Sequence, residues 1–511
     1  MARVAQVSVA SALLAFVALM AVAMARAGWV FEYPLDDVYI HMAMAEQIAA
    51  GGYGVNAGEL ASAASSPLYP LLLLPGAGTE VQRYLPLFWN VVALIAVAWL
   101  WARILIRAGL FEPGRAWIGW AAAVLGPIMI NSFGLAFVGM EHTLHMAASL
   151  AIVLGLLRVV QDEEISAALL IGLVLSTALR LEGMALGLMA AFVVWRVKGP
   201  APAILCGLLT LLPVVIFVLA LNAMGLDPLP ESVQAKLHAN DTVDLGWVAR
   251  FLAQFQVNIA KPAGLVLLLA TGLLLILMLA LPAMRRTGPR SFGLALLAAT
   301  LAHLFFGQIG WMDRYEGYIW ASIAAGLLVV ASWGPRLLPA VALIAVVAGG
   351  LMAYWVSWTQ HFPWNIRGIH LQPAQSARFA QDFARVPVAV NDLGRAAWAN
   401  PNYVLDLYGL ASADARYFRT YDPSPGWAAP LAEKYGVQLA MIYEKWLGEA
   451  VGDDWVKLGE LHIIPGEGYL GDSKVAYYAT APEFVDDLNA ALAEWAPTLP
   501  EGAEWRPEAR E

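Results

Sequence analysis

The chain has 511 residues, 60% of them hydrophobic and only 14% charged, with a net charge of −9 and a mean hydropathy of +0.64. Soluble domains carry roughly 45–50% apolar and about 25% charged residues, so one large soluble core is excluded. A nucleic-acid binder is excluded as well, because phosphate affinity needs clustered cations.

About 20 uncharged apolar residues span a bilayer. Runs of that kind cover 7–25, 85–102, 203–221, 264–283, 292–309 and 337–355. Five shorter ones, at 117–131, 143–157, 165–179, 184–195 and 318–333, have helical length but polar ends. Together they predict a polytopic α-helical membrane protein with about 11 transmembrane helices. The first run follows Arg3 and has small residues around Met24, as a signal peptide would. Its length suits a span that stays. The 20 Trp fit this class, since indoles favour the headgroup level. Cys206, the one cysteine, leaves no intramolecular disulfide and no cysteine-based metal site.

Basic residues favour cytoplasmic loops. With the N-terminus inside, the cytoplasmic ends collect Arg103, Arg107, Arg115, Arg196, Lys198, Arg285, Arg286 and Arg290. The threading places the chain in the cytoplasmic (inner) membrane, with the C-terminal segment on the extracytoplasmic side.

The first external loop, about 26–83, is long enough to hold structure of its own. Val38, Met42, Ala45 and Ala49 recur at helical spacing, which predicts an amphipathic surface helix. Asp36 and Asp37 stand at its start, where the helix dipole favours negative charge. His41 follows Asp37 by four residues, on the same face. Ser66 before Pro67 reads as a second helix start. Capping accounts for one carboxylate of the Asp pair. The pair together suits a divalent cation or a substrate proton. Later external loops add Glu141 and His142, Arg180 and Glu182, then Asp227, Lys236 and His238, then Asp313, Arg314 and Glu316. A charge at the bilayer centre costs roughly 2.5–3.5 kcal/mol or more, so these residues face a cavity or the interface.

From about 358 to 511 the material changes, which divides the chain into a membrane domain, 1–357, and an extracytoplasmic one. Residues 357–511 hold 21 acidic against 12 basic residues, so the whole net charge falls there. Strand-like stretches at 386–390, 403–407, 437–443, 455–464 and 475–478 and helix-like ones at 374–383 and 482–495 predict a small α/β domain. The Pro-, Glu- and Ala-rich tail is expected to fray.

Several short motifs resemble those of a known family. Asp36-Asp37-Val38-Tyr39-Ile40-His41, with Tyr53-Gly54-Val55-Asn56-Ala57-Gly58-Glu59 and Ser65-Ser66-Pro67-Leu68, resembles the first external loop of bacterial GT-C-fold glycosyltransferases. The likeness is strongest to arabinofuranosyltransferase-type and related polyprenyl-phosphate-sugar-dependent members. Gly139-Met140-Glu141 resembles the next external loop, and Arg180-Leu181-Glu182-Gly183 resembles an Arg-Pro-Glu-Gly element with Leu181 in place of proline. Pro230-Glu231-Ser232-Val233-Gln234-Ala235-Lys236 is similar to a later Pro-Asn-Thr/Ser-x-x-Ala-Lys element. Asn391-Asp392-Leu393-Gly394 and Val404-Leu405-Asp406-Leu407-Tyr408-Gly409-Leu410 resemble the family's extracytoplasmic domain.

The resemblance implies a GT-C-like fold and a membrane glycosyltransferase that takes a sugar from a polyprenyl-phosphate-linked donor. The acceptor would be an extracytoplasmic glycan, lipid or protein. Asp36 or Asp37 would be the general base of an inverting displacement. His41, Glu141, Arg180, Glu182, Lys236, His238 and Arg314 would bind donor or substrate, with the cations facing the leaving phosphate. Two other functions fit a chain of this kind: a transporter or flippase of a lipid-linked saccharide, and an oligosaccharide ligase or polymerase. Transporters place charge near the midplane on broken helices, often with repeats. Here the charges gather at one face and no repeat is present.

Overall fold

Inside hydrocarbon every backbone polar group must be satisfied within its own segment, and for an apolar run the helix is the way to do it. Each of the eleven runs is a helix in the computed structural model, which describes residues 2–231, 233–234, 246–463 and 470–509. Eight of the described helices are long and apolar enough to cross a membrane, and Ala167–Leu179 and Gly317–Ser332 are shorter apolar ones. The chain is a multi-pass helical membrane protein.

It divides into two compact units. The first comprises Met1–Met20, Leu87–Phe217 and Val243–Thr359. Its helices approach closely where side chains are small. Helix His142–Asp162 turns back at Glu163, in the left-handed region, and Ser166 Oγ caps the following Ala167–Leu179 by accepting from Leu169 N–H at 3.4 Å. A Cβ on Gly155 would stand 2.5 Å from that of Leu169, and one on Gly172 would stand 2.8 Å from the Ala148 carbonyl. Small residues at such crossings are what let membrane helices touch. The buried indoles of Trp101 and Trp320 donate to the Ala122 and Met129 carbonyls at 2.9 and 3.0 Å.

The second unit gathers Ala21–Pro86, Val218–Thr242 and Gln360–Glu511. The loop 26–83, counted from the sequence with the membrane portion, thus keeps its contacts with the C-terminal segment. That segment carries a mixed sheet of β1 (Val388–Val390), β2 (Val404–Asp406), β3 (Leu439–Ile442), β4 (Val456–Ile463), β5 (Lys474–Ala479) and β6 (Ala503–Pro507). The order is β2-β1-β3-β5-β4-β6. β1 runs parallel to both β2 and β3, while β3–β5, β5–β4 and β4–β6 are antiparallel. The three parallel strands are buried along their whole length, as apolar strands covered on both faces are.

Two expectations need correction. The tail does not fray throughout, because Ala503–Pro507 pairs with β4 and Trp505 packs 5.0 Å from the Tyr477 ring. The helix Asp37–Ala49 exists, but it is not a surface helix with one wet face. Its residues 38–45 are all buried. Tyr39 lies 5.6 Å from the Trp398 ring and His41 meets Tyr69 edge-on at 5.2 Å, so the face expected to be polar is covered by aromatic rings.

Candidate active site

β1 ends at Val390, Asn391 and Asp392 follow, and a short helix, Leu393–Ala397, begins. Asp36 docks on this turn. Its Oδ2 accepts from Gly394 N–H at 2.6 Å and its Oδ1 from Arg395 N–H at 2.8 Å. Asp36 therefore makes no side-chain cap on its own helix and instead serves a turn more than 350 residues away. Gly394 is required for the approach, since a Cβ there would stand 2.0 Å from the Asp36 carbonyl oxygen.

Asp37 and Asp392 lie within electrostatic reach of Asp36. Burial, and then the Asp392 charge, push Asp36 up to about 8, against the pull of the two N–H groups. Asp392 rises to about 6, chiefly by burial, with Asp37 adding to it. Like charges held close favour the protonated form of one another. The result is three carboxyl groups gathered from two distant motifs, of which Asp36 and Asp392 titrate above the usual carboxylate range.

A buried ion network fixes this arrangement. Glu32 accepts a hydrogen bond from the Tyr39 hydroxyl and pairs with Arg83 at 3.1 Å and with Arg395 at 3.8 Å. Arg395 is the residue whose N–H holds Asp36. Nearby, Asn56 clamps β2 from the loop: its Oδ1 accepts from Val404 N–H and its Nδ2 donates to the Val404 carbonyl, both at 2.9 Å. Asp406, at the end of β2, accepts from the N–H groups of Tyr408, Leu410 and Ala411 and orders the loop that follows.

The first unit holds a separate polar cluster. Arg180 forks onto Glu182 at 2.7 and 3.2 Å and reaches Glu141 at 2.7 Å. Burial raises Glu182, but the guanidinium outweighs it and holds that carboxyl at about 2. His145 stacks on Tyr318 at 4.3 Å, and the Tyr318 hydroxyl lies 3.2 Å from His303 Nδ1. Arg314 is buried with its guanidinium 5.0 Å from the Tyr315 ring centre. The turn before it is strained. Gly310, Trp311, Met312 and Asp313 all have positive φ, and Glu316 Oε2 closes the turn by accepting from Gly310 N–H at 2.8 Å. Left-handed backbone costs a non-glycine residue roughly 1–2 kcal/mol, and such strain persists where surrounding contacts enforce it, often near function.

The structure therefore brings Asp36 and Asp37 together with Asp392, and brings Glu141 together with Arg180 and Glu182. His41 is buried against Tyr69 in the second unit. Lys236 and His238 lie outside the described residues. Asp392 entered the sequence reading only within the Asn391-Asp392-Leu393-Gly394 motif, with no role of its own, and Arg395 did not enter it. The available signal was positional: an apolar strand ending in Asn-Asp. Among the described residues no group of three or more His, Cys, Asp or Glu is placed to hold a metal ion, and both Asp36 oxygens are engaged by backbone N–H groups.

These features define a multi-pass membrane protein whose sheet-bearing unit carries a three-carboxylate site. Residues 364–480 match a domain of unknown function (DUF8728). No curated protein matches the chain. Among solved structures, it is similar to the oligosaccharyltransferase of Archaeoglobus fulgidus, crystallised with zinc and sulfate. The alignment covers 97% of this chain and 75% of that one, at 11% identity and a TM-score of 0.45, a likeness too low to carry an activity across.

Proposed function

We propose that this protein is a GT-C-type membrane glycosyltransferase, which transfers a sugar from a polyprenyl-phosphate-linked donor to an extracytoplasmic acceptor with inversion. The observation that carries the reading is the meeting of Asp36, Asp37 and Asp392 in one unit, with both Asp36 oxygens anchored on the Gly394 turn. A hydroxyl is a poor nucleophile until a base takes its proton, a contribution worth about 100- to 10,000-fold. In the proposed step a carboxylate accepts the acceptor O–H proton. The acceptor oxygen bonds to the anomeric carbon, and the polyprenyl phosphate departs with the electron pair of the broken bond. Asp37 is the group suited to take the proton, while Asp36 positions the loop that carries it. Arg180 is tied to two carboxylates and keeps the fold around it. The test is transfer from a panel of polyprenyl-phosphate-linked radiolabelled sugars to envelope extracts by the purified, reconstituted protein. Transfer that disappears in Asp37→Asn supports the reading, and no transfer from any donor overturns it.

A further inference from the structure

Helix Pro200–Ala223 is one of those long and apolar enough to cross a membrane, and its last residues belong to the second unit. Gly225, at φ +76°, turns the chain back on it. Leu226 N–H donates to the Leu221 carbonyl at 2.9 Å, and Gly225 N–H donates to the Asn222 carbonyl at 3.0 Å. This is the glycine stop that closes a helix on its own last carbonyls. Asp227 comes next, so it stands at the level where the span ends. Its Oδ2 accepts from Gln234 Nε2 at 3.1 Å and pairs with Arg416 at 3.5 Å. Helix Ala413–Tyr421, which carries Arg416, is thereby held at the level of the membrane surface.

The two faces of that helix differ. Ala415 is fully buried, and Phe418 packs against the cluster of Leu405, Leu407 and Trp427. The charged side chains are engaged within the unit. Asp414 pairs with Lys434 at 2.7 Å, Arg416 pairs with Asp227, and the Arg419 guanidinium lies 3.9 Å from the Tyr408 ring centre. What the helix turns outward is aromatic. Tyr417 is 57% exposed and Tyr421, four residues on and so on the same face, is 64% exposed, with their rings 5.6 Å apart. Leu229, just past Asp227, is exposed as well.

This combination selects the occupant. A face whose charges are already engaged offers little to a nucleic acid or to a charged protein surface. A tyrosine ring is amphipathic: at the headgroup level its body leaves water while its hydroxyl stays wet. The depth agrees, because Arg416 ties the helix to the residue at which a span ends. We infer that Tyr417 and Tyr421 seat in the lipid headgroup layer, so that helix Ala413–Tyr421 docks the sheet-bearing unit on the membrane surface. Docking of this kind is independent of the chemistry the unit performs. It sets a fixed height above the bilayer for the unit that carries Asp36, Asp37 and Asp392.

The test uses the full chain in phosphatidylcholine nanodiscs, on a Cys206→Ala background. Asp422→Cys, at the exposed end of the helix, is labelled with an environment-sensitive fluorophore and leaves both tyrosines in place. A lipid with a nitroxide on its headgroup should quench the label strongly, and iodide in the water should quench it weakly. Replacing the pair, Tyr417→Ser with Tyr421→Ser, should cut the nitroxide quenching by roughly half or more and raise that by iodide, because it removes the apolar area that favours the interface. Both side chains are exposed, so thermal unfolding of the same samples should stay at the parental value. Absence of nitroxide quenching with the tyrosines intact overturns the inference, and so does equal nitroxide quenching in the serine pair. Protection from iodide without nitroxide quenching would give the face to a protein partner and overturns it as well.

Discussion

Asp36 and Asp37 are adjacent in sequence, and the structure anchors Asp36 on a turn of the distant sheet-bearing segment. Asp36 meets two backbone N–H groups, which a carboxylate satisfies and an amide does not. In Asp36→Asn one of those N–H groups faces an NH₂, so the variant should lose stability on the scale of about 1–3 kcal/mol, the cost of a buried N–H left unsatisfied. Asp37→Asn should lower transfer per folded molecule about 100- to 10,000-fold. Measuring both properties on both variants decides the matter, and parental transfer by Asp37→Asn removes it as the base. A pH dependence follows from the same cluster. Asp36 sits near 8 and Asp392 near 6, both above the ordinary aspartate value. A raised carboxyl pKa makes folding favour the protonated form, so this part of the stability is fully present below about pH 4 and is lost as pH rises through 6 and then 8. The unfolding temperature should therefore fall as pH rises across that window. Asp392→Asn should move the upper inflection to lower pH, because it removes a charge that raises Asp36. A flat profile between pH 5 and 9 contradicts this account. The Asp pair was legible in the sequence because two neighbouring carboxylates are unusual at a helix start. Asp392 was legible only as part of a motif without a role, because nothing local marks which strand end will face a residue more than 350 positions earlier.

At the scale of elements, the sequence was a good guide wherever one period or one long run dominated. All eleven apolar runs are helices, and β1 to β5 fall within a residue or two of the expected stretches. β6 escaped because Ala503–Pro507 alternates small, charged and aromatic residues and becomes a strand only by pairing with β4. The left-handed turn at 310–313 escaped because its φ angles are imposed by packing and by Glu316, not by local preference. Gly394 ties an element to the site. It is not a glycine of positive φ, so its backbone tolerates alanine, and only the neighbour objects. Gly394→Ala should therefore displace Asp36 from the turn and reproduce the stability loss of Asp36→Asn. The double variant should be no worse than either alone, since both break one contact. Additive losses in chemical denaturation would show that glycine and aspartate act separately.

For the whole molecule, the decisive fact is that Ala21–Pro86, Val218–Thr242 and Gln360–Glu511 form one unit. Segments bonded to one another as Asp36 is to Gly394, or Asn56 to Val404, must share one side of the membrane. The number of crossings between them is then even. Six apolar spans, from Leu85–Arg107 to Pro200–Ala223, separate the first segment from the second, with the short helix Ser132–Val138 continuing the span that begins at Ala116. Four, Pro262–Ala280, Thr287–Phe306, Gly317–Ser332 and Leu338–Val356, separate the second from the third. Helix Trp247–Ile259 fits the parity only if it does not cross, and Arg250, Gln254 and Asn258 make it too polar to do so. An even number of crossings between the segments is compatible with the count expected from the apolar runs, and the basic residues predict the direction. On a Cys206→Ala background, Leu60→Cys and Glu449→Cys should both react with a membrane-impermeant maleimide on intact cells, and Glu112→Cys only after permeabilisation; all three positions are exposed. Labelling of Leu60→Cys and Glu449→Cys from opposite sides would break the second unit apart. Labelling of both only after permeabilisation would keep the unit and reverse the membrane orientation, placing the carboxylate site in the cytoplasm and removing the extracytoplasmic acceptor with it.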